Sequence, residues 1–322
     1  MLSQIKTGRN KKNLSMDSKG LRILITGGRG YIGSALYRHL DSKRFVSKVF
    51  SYDLVDGQDI CDPGAIKKFM QQCLPNVVIH LAALSSVSSC NESPLRAIKI
   101  NAVGTRNVLD AMESCGCKHI IYASTSSVYG EGSGKLLFED SPKIPCSAYG
   151  TSKLLGEQAI YNHYEVKDKE GGYLVFRMFN VVGPSGHKDL DSKKTENDRL
   201  FAALVSGFVT IYGTDYPTVD GTCERDYVSL KDVCRAYELG VIELVENGDV
   251  ADVLNVCTGN ASSVKSIISR WKLHNDITIK CGERRLGDPA RVYGCNRAIK
   301  QKLGWEHKQT MREIISDLAV EI

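Results

Sequence analysis

Short apolar runs alternate with amphipathic stretches along the first half of the chain. Leu21 to Thr26 (LRILIT) is an apolar, β-branched run stopped by Gly27, and from Gly30 onward Ile32, Leu36 and Leu40 recur on one helical face. Strand, glycine turn, helix is the predicted order. Val46 to Tyr52 predicts a second strand ending in Asp53, Val77 to Leu81 a third after Pro75, and Lys118 to Ala123 a fourth after a helix around Asn101 to Cys115. Tyr149 to Tyr164 reads as a helix and Tyr173 to Phe179 (YLVFRMF) as the next strand. These strands are continuously apolar, which implies burial on both faces and hence a parallel sheet flanked by helices. The expected fold class is α/β, a doubly wound parallel sheet carrying a smaller mixed α/β lobe.

After Gly183-Pro184 the texture changes. His187 to Asp198 is polar and charge-dense, as expected of a mobile loop entering a second lobe, so the boundary falls near residue 182. Residues 20–182 form one expected domain and 183–322 mainly the second lobe, with part of 222–257 returning to the first. The 322 residues suffice for such an arrangement without a metal or disulfide staple.

Composition narrows the class further. The 42% hydrophobic and 25% charged content is that of a globular protein, and no stretch approaches the roughly 20 apolar residues needed to span a bilayer. The formal charge of +5 sits mostly in residues 1–19, where Lys6, Arg9, Lys11, Lys12 and Lys19 face only Asp17; this is expected to be a disordered basic tail, and the body is nearly neutral, against a nucleic-acid partner. The tail lacks the apolar core of a secretory signal; organelle import is the alternative to plain disorder. Eleven cysteines without a CxxC pair point to reduced thiols in a cytoplasmic compartment and to no metal site.

Gly27, Gly30 and Gly33 (TGGRGYIG) lie between strand and helix, where a side chain would block a pyrophosphate from the N–H groups at the helix N-terminus. A plain tight turn is the alternative. Asp53, twenty residues after Gly33 at the end of the second strand, is placed to accept from both adenosine ribose hydroxyls and to repel a 2′-phosphate, favouring NAD over NADP; a capping role is its alternative. Asp59-Ile60 falls where the adenine ends. Together these read as a Rossmann-like NAD-binding domain.

Tyr149 and Lys153, four apart in SAYGTSK, share a helix face. A phenol with a pKa near 10 is a poor base until a neighbouring ammonium stabilises its anion. Tyr227 and Lys231 repeat the spacing, but only Tyr149 follows a hydroxyl cluster at a strand end, Ser124 to Ser127, so Tyr149 is the expected base and Tyr227 a packing residue. His80 reads as a packed core histidine.

From residue 21 to 305 the chain resembles the extended short-chain dehydrogenase/reductase family, and within it the UDP-glucose 4-epimerase branch. The resemblance is carried by TGGRGYIGS, VVIHLAAL, NAVGTRNVLDA, YASTSSVYG, YGTSK, FNVVGP, DYPTVDGTCERDYV and RRLGDPARV. It implies NAD cofactor contacts at Tyr31, Ile32, Leu81, Ala82, Ala83, Asn101 and Ala123, and a catalytic hydroxyl at Thr125. It further implies Asn180 and Arg225 on a uridine diphosphate, Arg285 on a phosphate and Asp288 on the uridine ribose, with Ser85 and Val292 in the sugar pocket, Val292 at a size-gating position that would admit an N-acetyl group. The alternatives pair Arg225 with Asp226 at a lobe interface and use Asp288 to cap a turn before Pro289.

The chain also departs from the family. Only five residues separate Asp53 from Asp59, where a long excursion is usual, which puts adenosine contacts on that side in doubt. Met178 replaces an aromatic next to the nicotinamide, Ser85 replaces lysine, and 187–200 does not align. Ser126-Ser127 stand where dehydratases carry an Asp-Glu pair, which removes the acid and base for water loss.

The resemblance implies C4 epimerisation of a UDP-hexose, plain or N-acetylated, through a 4-keto intermediate in a homodimer. The rivals are a 4-keto-sugar reductase consuming NAD(P)H, an epimerase or decarboxylase of another UDP-sugar, and a non-catalytic nucleotide sensor.

Overall fold

The computed structural model describes residues 20–320 except 133, 168, 186–199, 274 and 286–287; the basic tail and the polar run after Gly183-Pro184 therefore lie outside the described residues. The first half comprises β1 (Leu21–Thr26), α1 (Tyr31–Asp41), β2 (Val46–Tyr52), α2 (Pro63–Cys73), β3 (Val77–His80), α3 (Val87–Glu92) and α4 (Pro94–Ile98). A π-helical turn at Lys99–Val103 carries α4 into α5 (Gly104–Cys115), followed by β4 (His119–Thr125), α6 (Ala148–Tyr161) and β5 (Gly172–Met178). Then come β6 (Asn180–Val182), α7 (Leu200–Val205), β7 (Phe208–Tyr212), β8 (Glu224–Ser229), α8 (Leu230–Asn247) and β9 (Ala251–Val256). The chain ends with β10 (Ala261–Ser263), α9 (Val264–Trp271), β11 (Thr278–Gly282), β12 (Arg291–Val292), α10 (Arg297–Leu303) and α11 (Met311–Val320).

Six strands pair in the order β2-β1-β3-β4-β5-β9, all parallel. Both faces are covered. Leu36, Leu40, Val233, Tyr237 and Val241 of α1 and α8 bury one face, while Ile66, Met70, Val108, Met112 and Ile160 of α2, α5 and α6 bury the other. This is why β3 is buried along its whole length and β5 up to Met178. The strand order reverses between β1 and β3, which opens a crevice at their C-terminal ends, the place where open α/β sheets bind ligands. At one edge of the sheet, β2 buries only Val49 and Tyr52.

The second lobe is organised around β8, which pairs antiparallel with β10 and parallel with β6 and β12, beside the parallel pair β7 and β11. Its core joins Phe201, Leu204, Ile211, Ile268, Trp271 and Ile315. Tyr227 is buried here, edge-on to Phe201 with ring centroids 5.5 Å apart, and is a packing residue. No helix among the described residues is long and apolar enough to cross a membrane.

Candidate active site

A cleft of about 1110 Å³ lies along the C-terminal ends of the strands, between the sheet and the second lobe. Its floor is the glycine turn. Gly27 has φ of +73°, and a Cβ there would come within 2.7 Å of the Ala82 nitrogen; a Cβ on Gly33 would lie 2.1 Å from the Gly27 carbonyl oxygen. Helix α1 therefore starts hard against the turn. Its N-cap is Gly30, which offers no side-chain cap, and Gly30, Tyr31, Ile32 and Gly33 all line the cleft. The N–H dipoles at a helix start, approachable only because glycine leaves room, fit a pyrophosphate.

Asp53 is buried at the next wall. Its Oδ2 accepts from the Arg29 N–H at 2.8 Å and its Oδ1 from Val55 N–H at 3.0 Å, so it both caps the 3₁₀ turn Leu54–Asp56 and faces the cleft. The capping role leaves room for a ribose, since each carboxylate oxygen keeps a second lone pair. Asp59 and Ile60 line the same end, and Leu81, Ala82, Ala83 and Ala123 continue the wall. Asp59 Oδ1 accepts from Cys61 N–H at 2.8 Å, and the Ile60 carbonyl accepts from Asn107 Nδ2 at 2.9 Å. The residues present fit a dinucleotide.

Asn101 is placed differently from expectation: it is 1% exposed and is not among the residues lining the cleft. Its Oδ1 accepts from Leu84 N–H at 2.8 Å, while its Nδ2 donates to the Leu84 carbonyl at 3.0 Å and to Ser152 Oγ at 2.9 Å. Asn101 is thus a buttress behind the wall. It belongs to a longer chain of buried polar groups. Ala82 N–H donates to Thr26 Oγ1 at 3.4 Å, Thr26 Oγ1 meets His80 Nδ1 at 2.6 Å, and His80 Nε2 meets Thr105 Oγ1 at 3.0 Å. Thr105 donates to the Asn101 carbonyl at 2.7 Å, and Ser152 Oγ donates to the Tyr149 carbonyl at 2.8 Å. With its proton spent on Asn101, Thr105 must accept from His80, which assigns the proton to Nε2 and leaves Nδ1 to accept from Thr26. Burial, with the Lys153 charge as the smaller cause, pushes the His80 imidazolium down to about 3, so the ring is neutral.

Thr125 ends β4, where its Oγ1 accepts from Ser127 N–H at 3.1 Å and starts the 3₁₀ turn Ser126–Tyr129. Helix α6 begins at Ser147, whose Oγ accepts from Gly150 N–H at 3.1 Å, and presents Tyr149 and Lys153 one turn apart. Thr125, Tyr149 and Lys153 all line the cleft. The helix lies close to the sheet because of Gly156, where a Cβ would fall 2.0 Å from Tyr122 Oη. Lys153 is only 2% exposed, its Nζ sits 4.2 Å from the Tyr122 ring centroid, and burial brings its ammonium down to about 7 against the opposing pull of Glu157.

Glu157, one turn further on, accepts from Arg177 Nε at 2.9 Å and Nη2 at 2.7 Å, and from Ser124 Oγ. Arg177 Nη1 also donates to Tyr129 Oη at 3.0 Å and to the Glu139 carbonyl at 2.8 Å. This buried pair, absent from the sequence expectations, anchors α6 to β5. A hint existed in Glu157 standing four residues after Lys153 on the same helix face.

Asn180, Arg225, Arg285 and Asp288 line the cleft as well, as does Ser85, which follows the Leu81–Ala83 wall after β3. Arg225 Nη2 donates to Asp288, not to Asp226, and its Nη1 donates to the Glu224 carbonyl at 2.8 Å. Asp226 instead accepts from Thr258 N–H, Thr258 Oγ1 and Gly259 N–H, each at 2.8 Å. Arg285 lies over the Tyr212 ring at 3.9 Å, whereas its neighbour Arg284 turns away to Asp215 at 2.7 Å. Val292 is 8% exposed in a cluster with Val128, Tyr129, Phe179 and Cys257, and is not among the lining residues, so it stands behind the pocket surface. Tyr212, Cys223 and Arg29 do line the cleft without having been singled out in sequence. Met178 lines it too, with Tyr237 Oη donating to its Sδ at 3.7 Å.

Residues 23–257 match the NAD dependent epimerase/dehydratase family. Among curated proteins, the UDP-glucose 4-epimerase of Bacillus subtilis is 30% identical over 92% of this chain and 95% of its own length. UDP-arabinose 4-epimerase 1 of Arabidopsis thaliana is 28% identical over 96% of this chain and 81% of its own. Among solved structures, UDP-glucose 4-epimerase from Brucella ovis in complex with NAD superposes with a TM-score of 0.83 at 27% identity, covering 94% of this chain and 98% of that one. The enzyme from Stenotrophomonas maltophila with NAD and formylated UDP-arabinopyranose gives 0.82 at 26% identity, covering 92% and 96%. On the match over most of its length, the chain belongs to the NAD-dependent epimerase/dehydratase family.

Proposed function

We propose that the protein inverts C4 of a UDP-sugar and keeps one NAD bound through the cycle. The observation that carries this is the meeting, in one cleft, of the glycine turn, the Thr125, Tyr149 and Lys153 set and the Arg225, Arg285 and Asp288 wall. The turn, Asp53 and Lys153 would hold the dinucleotide, which when bound would supply a reversible hydride acceptor for C4. Tyr149 as phenolate takes the proton from the sugar O4, assisted by Thr125. Lys153, as ammonium, stabilises that phenolate. Arg225 and Arg285 tether the diphosphate while the 4-keto sugar turns its other face, and Asp288 accepts from the uridine ribose. Ser85 and Asn180 complete the substrate side.

Relatives named for UDP-glucose and for UDP-arabinose leave hexose and pentose as candidate sugars. Incubation with UDP-glucose, UDP-N-acetylglucosamine and UDP-arabinose, resolved by NMR, is expected to yield a C4 epimer of at least one, without added cofactor. Stoichiometric loss of NAD(P)H would instead identify a keto-sugar reductase. A homodimer is proposed through α4–α5 and α6, whose exposed Leu95, Val103, Leu155 and Tyr161 leave apolar surface to cover; light scattering would give the mass. Free cysteines at all eleven positions support a cytoplasmic setting.

A further inference from the structure

We infer that the ion pair between Arg29 and Asp56 sets dinucleotide selectivity, Asp56 holding the Arg29 guanidinium out of reach of a 2′-phosphate. Arg29 belongs to the glycine turn, and its own N–H donates to Asp53 Oδ2 at 2.8 Å. The side chain starts beside the acid that reads the adenosine ribose, is 60% exposed, and lines the same end of the cleft as Asp53. Asp53 and Arg29 would therefore pull in opposite directions. A carboxylate repels a 2′-phosphate, while a guanidinium offers two parallel N–H groups that match one.

Asp56 resolves the conflict. Arg29 Nε donates to Asp56 Oδ2 at 3.0 Å and Nη2 to Asp56 Oδ1 at 3.2 Å, which occupies the guanidinium edge a phosphate would take. Asp56 is held in place by the short connection after β2. The Asp53 side chain caps the turn at Val55, Gln58 Oε1 accepts from Asp53 N–H at 3.0 Å, and Gly57, with φ of +75°, closes the turn by donating to the Leu54 carbonyl at 2.9 Å. With two acids against one cation, this end of the cleft disfavours a further dianion.

The inference rests on the dinucleotide site and not on which sugar is turned over. It is tested by unfolding purified wild type, D56N, D56A, R29A and R29A/D56N after equilibration with equimolar NAD and NADP, and counting the released nucleotides by mass spectrometry. D56N and D56A are expected to raise the NADP to NAD ratio about tenfold, while R29A/D56N returns to the wild-type ratio. An unchanged ratio in both Asp56 variants would overturn the inference, as would a gain that survives in the double variant, since the charge of Asp56 alone would then be responsible. Release of no dinucleotide from any form would refute the underlying site as well, and is distinct from NAD release at an unmoved ratio.

Discussion

On the cofactor wall, the polar groups that shape the cleft are locked into the sheet: His80 between Thr26 and Thr105, Asn101 between Leu84 and Ser152, Glu157 between Arg177 and Ser124. On the sugar wall, Arg225 and Asp288 pair across 63 residues of chain, and Arg285 lies on the Tyr212 ring. The first arrangement fixes atoms on strand ends, on the π-helical turn and on α5 and α6. The second carries the charges that, in the proposed function, a diphosphate and a ribose would recruit. Hydride transfer to and from both faces of one carbon needs such a pairing, a rigid side that positions the base and a side that lets the sugar turn.

The comparison breaks first at Tyr149. Tyr149→Phe removes only the phenol oxygen from the rigid wall, and turnover is expected to fall by about 10³-fold or more with bound nucleotide and thermal unfolding unchanged; near-wild-type turnover would remove Tyr149 from the chemistry. Glu157→Gln leaves the Arg177 guanidinium buried at 3% exposure without its counter-charge, and a loss of about 3–5 kcal/mol in urea unfolding is expected. A loss below about 1 kcal/mol would mean that the pair does not anchor α6.

His80 sharpens the comparison through pH. Its folded-state value, near 3, lies below the ordinary 6.5, so the unfolded chain binds the extra proton first. The stability it contributes is whole above about 6.5 and is lost as pH falls toward 3, by about 3 kcal/mol between pH 7 and 4. His80→Gln should flatten that slope in chemical unfolding; an unaltered slope would contradict the neutral, buried ring. The smallest effect belongs to the sugar wall, where Arg225→Lys is expected to raise KM for the UDP-sugar about tenfold with kcat changed less. A fall in kcat alone would place Arg225 with the chemistry instead.

Strands β1, β3, β4 and β5 were legible as largely apolar runs, whereas β2 (VSKVFSY) is interrupted by Ser and Lys and β9 (ADVLNV) was foreseen only as part of 222–257 returning to the first domain. The glycine turn, Asp53 and the Tyr149 to Lys153 step were legible because their chemistry is written in local spacing. What was not legible depends on contacts between distant segments. Asn101 sits in a motif suggesting cofactor contact, yet the π-helical turn at Lys99–Val103 directs its side chain to Leu84 and Ser152. Arg225 has an acid next to it in sequence and pairs with another 63 residues away, because Asp226 points to the opposite face of β8 and is taken by Thr258 and Gly259. The short link after Asp53, which raised doubt about adenosine contacts, closes as a 3₁₀ turn that keeps Asp53 in the cleft.

The central claim is that one carbon gives up a hydride and takes it back. The direct measurement uses UDP-glucose, UDP-N-acetylglucosamine and UDP-arabinose deuterated at C4, with NMR of the products and a count of nucleotide before and after. The account predicts a C4 epimer that retains its deuterium, with no net change in NAD or NADH. Loss of the label to solvent, consumption of reduced cofactor, or no epimer from any of the three sugars would contradict it.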